Sequence, residues 1–532
     1  MDFRMGKNNV FIAMKILFLG FFFIFFFFPL ITVILKVLES DFSSFLSVLI
    51  SNQKLIWNSF FQAGVSTFFC LLIGIPAAFI VARRNFKGKK FIKALSLIPF
   101  VFPSILIVIS FVIVFGNNGW INHFLKNVFG LKEHIQFLYG FSGIILAHTF
   151  YNFPLVMRFV SDAWEKLDIT MKESAKSLGA DKFQVFWNVT LRQLMPSIIA
   201  SASLVFIFCF MSFAIVITLG GIQFSTLETE IYRQITRNIN FSLGAFLALF
   251  QFIVLGLIGL IYFYFSKKFQ IKEKAVLEQP KKINFFEKAF LLILVCFILL
   301  PIIALIVFSF FNQGTGEISF KAFEKIFFSG NTNLLGTTAL SSIGFSLIIA
   351  LIASVIASLM GLIASLKQTK ISLINVFVAS SLAVSVITLA FGYLIGLKSG
   401  NLLIIALGHS ILAFPFSFRV INNALNKIDE ESLDSAKTLG ANELEVFKEV
   451  QFPRIKNALM VSLSFCFAVS LGELGFILVL YDGIYATMPV YIYRLLGTFD
   501  LVAASAMGLI LILISFIAFY AIEIYSKNEQ VF

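Results

Sequence analysis

Residues Lys172–Pro196, KESAKSLGADKFQVFWNVTLRQLMP, are the longest soluble-looking passage in a chain that is otherwise almost all apolar. The passage returns. At an offset of 261 it becomes Leu433–Lys456, LDSAKTLGANELEVFKEVQFPRIK. The same offset pairs His148 with His409, Phe153-Pro154 with Phe414-Pro415, Arg158 with Arg419 and Asp168 with Asp429. Between residues 148 and 180, 13 of 33 positions are identical without a gap. The chain is therefore two copies of one unit. Each polar passage sits between long apolar runs, so the remainder reads as a membrane frame presenting two equivalent knuckles on one side.

Composition supports the frame. Of 532 residues, 59% are hydrophobic and 13% charged, with a mean hydropathy of +0.95. A soluble domain cannot hide that much apolar surface, and the class is an all-α polytopic membrane protein. The 70 phenylalanines read as a compositional bias that lipid tolerates. The net charge of +13 is spread over short clusters between apolar runs, which is a topology signal and not a nucleic-acid patch. Cys70, Cys209, Cys296 and Cys466 are scattered in apolar runs without pair spacing, as small hydrophobes and not as a disulfide frame or metal site. Arg4, Lys7 and Lys15 precede an apolar run to about Val37 that is too long for a signal-peptide core, so it is expected to remain as the first span.

Twelve runs reach the length that crosses a bilayer: 16–37, 60–82, 93–115, 140–160, 197–219 and 243–265, then 288–310, 338–366, 372–396, 402–422, 459–481 and 501–524. Pro76, Pro99 and Pro103 are expected to kink their spans. Basic clusters at 83–90, 267–282 and 367–370 alternate with balanced loops. The positive-inside rule then places both termini, the linker and both knuckles in the cytoplasm. Six spans per half make the halves parallel: 1–266 with a loop at 162–196, a basic linker at 267–287, and 288–532 with a loop at 423–458. Pro29-Leu30-Ile31 matches Pro301-Ile302-Ile303 at an offset of 272.

Each knuckle reads as helix, glycine turn, helix. Thr170 and Glu173 have capping-box spacing, Gly179 suits a left-handed stop, and Asp181 suits the next N-cap. The second copy repeats this with Asp434, Gly440 and Asn442, with Glu445 three residues on. A plain connecting loop leaves the matched register unexplained. A DNA-reading helix pair pinned to a membrane at both ends hardly reaches a major groove.

These residues carry a family resemblance. Glu173-Ser174-Ala175, Gly179 and Val189-Thr190-Leu191-Arg192, with Asp434-Ser435-Ala436, Gly440 and Val450-Gln451-Phe452-Pro453, resemble the Glu-Ala-Ala loop of bacterial ABC importer permeases. The departures are Ser for the first Ala, Asp434 for Glu, and Arg192 in place of Pro. The resemblance implies the type I importer fold. It also implies that Glu173–Gly179 and Asp434–Gly440 dock into two copies of a separate cytoplasmic ATPase, which carries the ATP and magnesium. The chain itself has no GxxxxGK[ST] loop, so by that route it is a transport subunit and not an enzyme, with no cofactor of its own. A periplasmic or lipid-anchored solute-binding protein is the other implied partner, beside membrane lipid, and the implied location is the bacterial inner membrane.

The fused layout is similar to thiamine and ferric-iron permeases. Gly116-Asn117-Asn118-Gly119-Trp120, Ser225-Thr226-Leu227-Glu228 and Leu471-Gly472-Glu473-Leu474-Gly475 look closest to the thiamine permeases, which implies thiamine or its phosphates as cargo, with ferric iron as the alternative. Pathway candidates are few. Glu473 is an acid within an apolar span, and its repeat mate is Ser212. An acid paired with backbone or with Arg494 is the competing reading. His148 and His409 occupy equivalent places and read more readily as packing residues than as ligands. The rival from another class, an ion-coupled secondary transporter, calls for paired intramembrane acids in both halves.

Overall fold

The computed structural model describes residues 5–39, 44–96, 98–221, 224–268, 279–311, 317–328, 337–366, 377–378, 380–381, 384–398, 400–481 and 483–526. In chain order the helices used below are α1 (Ala13–Glu39), α2 (Gln53–Arg83), α3 (Ser104–Phe115), α4 (Phe141–Glu165), α5 (Ile169–Ser177), α6 (Lys182–Phe210), α7 (Ala214–Leu219), α8 (Leu227–Thr236), α9 (Phe241–Lys268) and α10 (Phe285–Ser309). They continue as α11 (Ala339–Ser365), α12 (Val386–Leu397), α13 (Leu402–Leu425), α14 (Glu430–Thr438), α15 (Glu443–Leu471), α16 (Gly475–Leu480), α17 (Met488–Gly497) and α18 (Leu501–Ser526). From α4 to α8 the boundaries recur in α13 to α17 at the repeat offset. The sequence repeat is thus a structural repeat.

Eleven helices among the described residues are long and apolar enough to span a membrane, and α12 is a shorter apolar helix at the place of the expected ninth span. The start of that expected span, 372–376, and part of the basic linker, 269–278, lie outside the described residues. Three expected spans are corrected. The run 93–115 is broken into Lys89–Leu95, Ile98–Val101 and α3, because Pro99 and Pro103 lack the N–H that would continue a helix. The runs 197–219 and 459–481 are each two helices, since α6 stops at Phe210 and α15 at Leu471 before α7 and α16 begin. Pro76, by contrast, lies inside a continuous α2.

Two compact units emerge, and they cut across the sequence halves. One comprises Met1–Phe42, Ile231–Leu249 and Ser309–Phe532; the other comprises Ser43–Glu230 and Phe250–Phe308. The first span of each half therefore packs with the other half's bundle. In the former unit, Phe18 and Phe22 of α1 meet the Phe414 ring at 5.5 Å, and Phe22 stacks on Phe377. Tyr393 Oη donates to the Phe25 carbonyl at 2.7 Å. Pro29 lies so close to Gly392 that a Cβ there would sit 2.2 Å from the Pro29 oxygen. In the latter unit, Phe297 of α10 meets Phe150 and Phe153 of α4. Phe153 and Phe414 are repeat mates, so the same site on each bundle receives the exchanged span. Arg84 and Asn85 pair in parallel with Lys281 and Lys282, and Arg84 binds Glu287 at 2.7 Å, which ties the start of α10 to the end of α2.

Candidate functional site

The two knuckles are α5 and α14 with the turns that follow. Asp168 caps α5 by accepting from the Thr170 N–H at 3.0 Å. This corrects the expected Thr170–Glu173 capping box, because the chain enters the helix two residues earlier and Thr170 is already inside it. Ser174 Oγ and Ser177 Oγ instead donate to carbonyls one turn back, Thr170 and Glu173. Gly179 has φ +88° and Gly440 φ +90°, the left-handed conformation glycine adopts without steric cost. Around each glycine the same two bonds close the helix: Gly179 N to Lys176 O and Ala180 N to Ala175 O, with Gly440 N to Lys437 O and Ala441 N to Ala436 O. That pair of bonds is the Schellman stop. Asp181 with Gln184 and Asn442 with Glu445 then form complete capping boxes.

Each turn is fixed at its base and open at its tip. Val160, Leu167 and Leu194 are buried beneath the first knuckle, and their repeat mates Ile421, Ile428 and Ile455 form one cluster beneath the second. Val185 and Val446 are buried just past the turns. Neither α5 nor α14 contains a buried residue. The leucine before each turning glycine is almost bare, Leu178 at 88% exposure and Leu439 at 89%. The first knuckle also exposes Phe183 and Trp187, whose rings lie 5.8 Å apart. Glu173, Ser174, Ala175 and Gly179 therefore share one projecting turn, and Asp434, Ser435, Ala436 and Gly440 another. Asp434 makes a 3.2 Å ion pair with Lys437 on the exposed face.

In the second repeat, His409 and Glu473 both bond to Ser470, one to its hydroxyl and the other to its carbonyl. His148 and His409 are buried, and Nδ1 of each meets a hydroxyl, Ser66 at 3.1 Å and Ser470 at 2.8 Å. Glu473 Oε1 accepts from the backbone N–H groups of Gly475 and Phe476 at 2.8 and 3.2 Å. It therefore caps α16 after the break in the span, and Arg494 lies over the Tyr481 ring instead. Ser212 occupies the matching break before α7. Two further buried polar groups lie outside the candidates named from sequence as pathway residues. Glu228 of α8 accepts from Gln251 of α9 at 2.5 Å, and Gln62, Ser66, Asn152 and Cys209 meet inside one bundle. A Gln or Asn inside an apolar span was the available signal.

Paired spans, broken helices and two projecting turns define a duplicated membrane permease, and the chain belongs to the family described as binding-protein-dependent transport system inner membrane component, whose model matches residues 71–270 and 353–529. It is a multi-pass inner-membrane transport subunit. Among individual proteins it is similar to the thiamine transport system permease protein of Haemophilus influenzae, at 26% identity over 90% of this chain and 89% of that one. The corresponding protein of Escherichia coli is 26% identical over 87% of each. A probable sulfate transport system permease protein of Prototheca wickerhamii is 33% identical over 27% of this chain and 55% of its own.

Proposed function

We propose that this chain is the permease of an ATP-driven importer that takes thiamine or a thiamine phosphate from a solute-binding protein into the cytoplasm by alternating access. The observation that carries the coupling is the matched pair of knuckles. Each is a helix without a buried residue, braced at its base and stopped by a left-handed glycine. A rigid convex turn of that kind fits a groove on a partner, and two of them fit two copies of one ATPase. Closure of the ATPase pair on nucleotide would then shift the permease between inward-open and outward-open populations. Both knuckles and both termini lie on the cytoplasmic side in this reading. The similarity to thiamine permeases over most of both chains supports the cargo.

The test of coupling is charge reversal at Glu173 and Asp434 together with Gly179→Val and Gly440→Val in the reconstituted transporter. Transport and cargo-stimulated ATP hydrolysis are expected to fall by at least about tenfold, the equivalent of about 1.4 kcal/mol of lost coupling. Unchanged ATPase association and uptake in all four variants would overturn the docking. Cargo is read separately by uptake of labelled thiamine against ferric iron. Uptake of iron alone would remove thiamine and leave the permease reading standing.

A further inference from the structure

Two local geometries align α2 with α11. The Leu227 N–H donates to Ser59 Oγ at 2.8 Å, and the Met488 N–H to Ser346 Oγ at 2.7 Å; residues 227 and 488 are repeat mates. Gly74 lies against Val156 and Gly361 against Ser417, again repeat mates. Both place α2 and α11 at an offset of 287. On that register Gln62, Ser66 and Cys70 correspond to Ile349, Ala353 and Ala357. At the general offset His148, Asn152 and Cys209 correspond to His409, Ala413 and Ser470.

The matched seams differ in kind. Between α2, α4 and α6, Gln62 Nε2 donates to the Cys209 carbonyl at 2.9 Å, and Asn152 Nδ2 donates to Cys209 Sγ at 3.4 Å and to the His148 carbonyl at 3.1 Å. Ser66 meets His148 Nδ1. Three buried side-chain atoms of this one network have no protein partner: Gln62 Oε1, Asn152 Oδ1 and His148 Nε2. In the other unit, Ala357 and Ala413 form an apolar cluster with Cys466, and Val469 packs against it; His409 Nε2 is unpartnered there as His148 Nε2 is here, but among the described residues no buried amide faces it.

A buried amide oxygen left without a hydrogen bond costs about 1–3 kcal/mol, and a bilayer offers no bulk water to relieve it. Ser66 Oγ and His148 Nδ1 lie 3.1 Å apart; in the tautomer in which the hydroxyl donates, the ring proton is on Nε2. The network is then short of two donors and one acceptor around Cys209. A water molecule supplies both, donating to the two amide oxygens and accepting from the ring N–H. A metal ion would face that N–H, and an apolar occupant would leave all three atoms unmet. We infer that the Ser43–Glu230 bundle binds an internal water among Gln62, His148 and Asn152 beside the Cys209 thiol, at a place where the matched seam has Ile349 and Ala413 in place of the two amides. The inference stands apart from the cargo and coupling readings.

The S–H stretch, which falls clear of other protein absorptions, tests it. Two full-length chains in lipid nanodiscs are compared, one keeping only Cys209 and one keeping only Cys466. Cys70→Ala installs the residue found at its mate Ala357, and Cys209→Ser the residue found at Ser470. On transfer to deuterated water, the Cys209 S–H is expected to convert to S–D roughly tenfold or more faster than Cys466, because no opening of the bundle is needed. Gln62→Leu with Asn152→Leu should slow Cys209 to the Cys466 rate. Equal slow exchange of the two thiols in the otherwise unaltered seams overturns the bound water. If the leucine pair fails to fold, a density map of the transporter that resolves ordered waters decides: density within hydrogen-bonding reach of all three atoms supports the site, and its absence in a map showing other internal waters refutes it.

Discussion

Two residues show how little chemistry a projecting turn needs. A Cβ at Gly179 or Gly440 would meet nothing within 4 Å, so bulk alone is no obstacle there. The obstacle is the positive φ, which costs an ordinary L-residue about 1–2 kcal/mol. Gly179→Ala and Gly440→Ala are therefore expected to loosen the stop and lower transport, while Gly→Asn at the same positions retains more activity, since Asn tolerates the left-handed region. Equal loss in the Ala and Asn variants would show that space and not backbone conformation matters. Leu178 and Leu439 make the converse case. Their exposure means that Leu→Ala leaves the melting temperature of the permease unchanged. If each leucine is buried by the ATPase, Leu→Ala should weaken that association by about 1.5–3 kcal/mol, read as a shift in dissociation constant.

At the scale of elements, breaks in the spans place the polar groups. Glu473 follows the end of α15 and holds the first N–H groups of α16, which would otherwise lie unmet in an apolar setting. Glu473→Ala should lower the stability of the second half by about 0.5–2 kcal/mol, the usual cost of a lost cap, with Glu473→Asp recovering part of it in thermal melts. Loss of transport without any loss of stability would assign Glu473 a role in the pathway instead. The first half ends the same span without an acid, since Ser212 stands in the matching place. That asymmetry was legible as an isolated acid, but its partners were not. Hydrogen bonds to Gly475 and Phe476 depend on how far the chain unwinds between two helices, which hydropathy does not encode.

Across the whole molecule, the exchange of first spans has the largest consequence. Deleting Met1–Phe42 removes α1 from a bundle built by the second half and bares Phe414 and Tyr393. The truncated chain is expected to gain protease cleavage sites within 339–526 before any appear within 53–219, as mapped by mass spectrometry. Early cleavage confined to 53–219 would contradict the packing. Cutting the chain within 269–278 should leave two fragments that still purify together, because each carries a span lodged in the other's bundle.

The duplication, the membrane class, the places of most spans and the two helix–glycine–helix turns followed from the sequence alone. Each is written in local signals: apolar length, cap residues at fixed spacing, a glycine where φ must be positive, and identity at a constant offset. The exchange of α1 and α10, the breaks before α7 and α16, and the polar seam around Cys209 were decided by tertiary structure. Each depends on which apolar surface finds which neighbour, and in a chain this uniformly hydrophobic many faces are equally suited to burial. Close fits such as Gly392 against Pro29 choose among them, and shape complementarity between segments hundreds of residues apart leaves no periodicity to read.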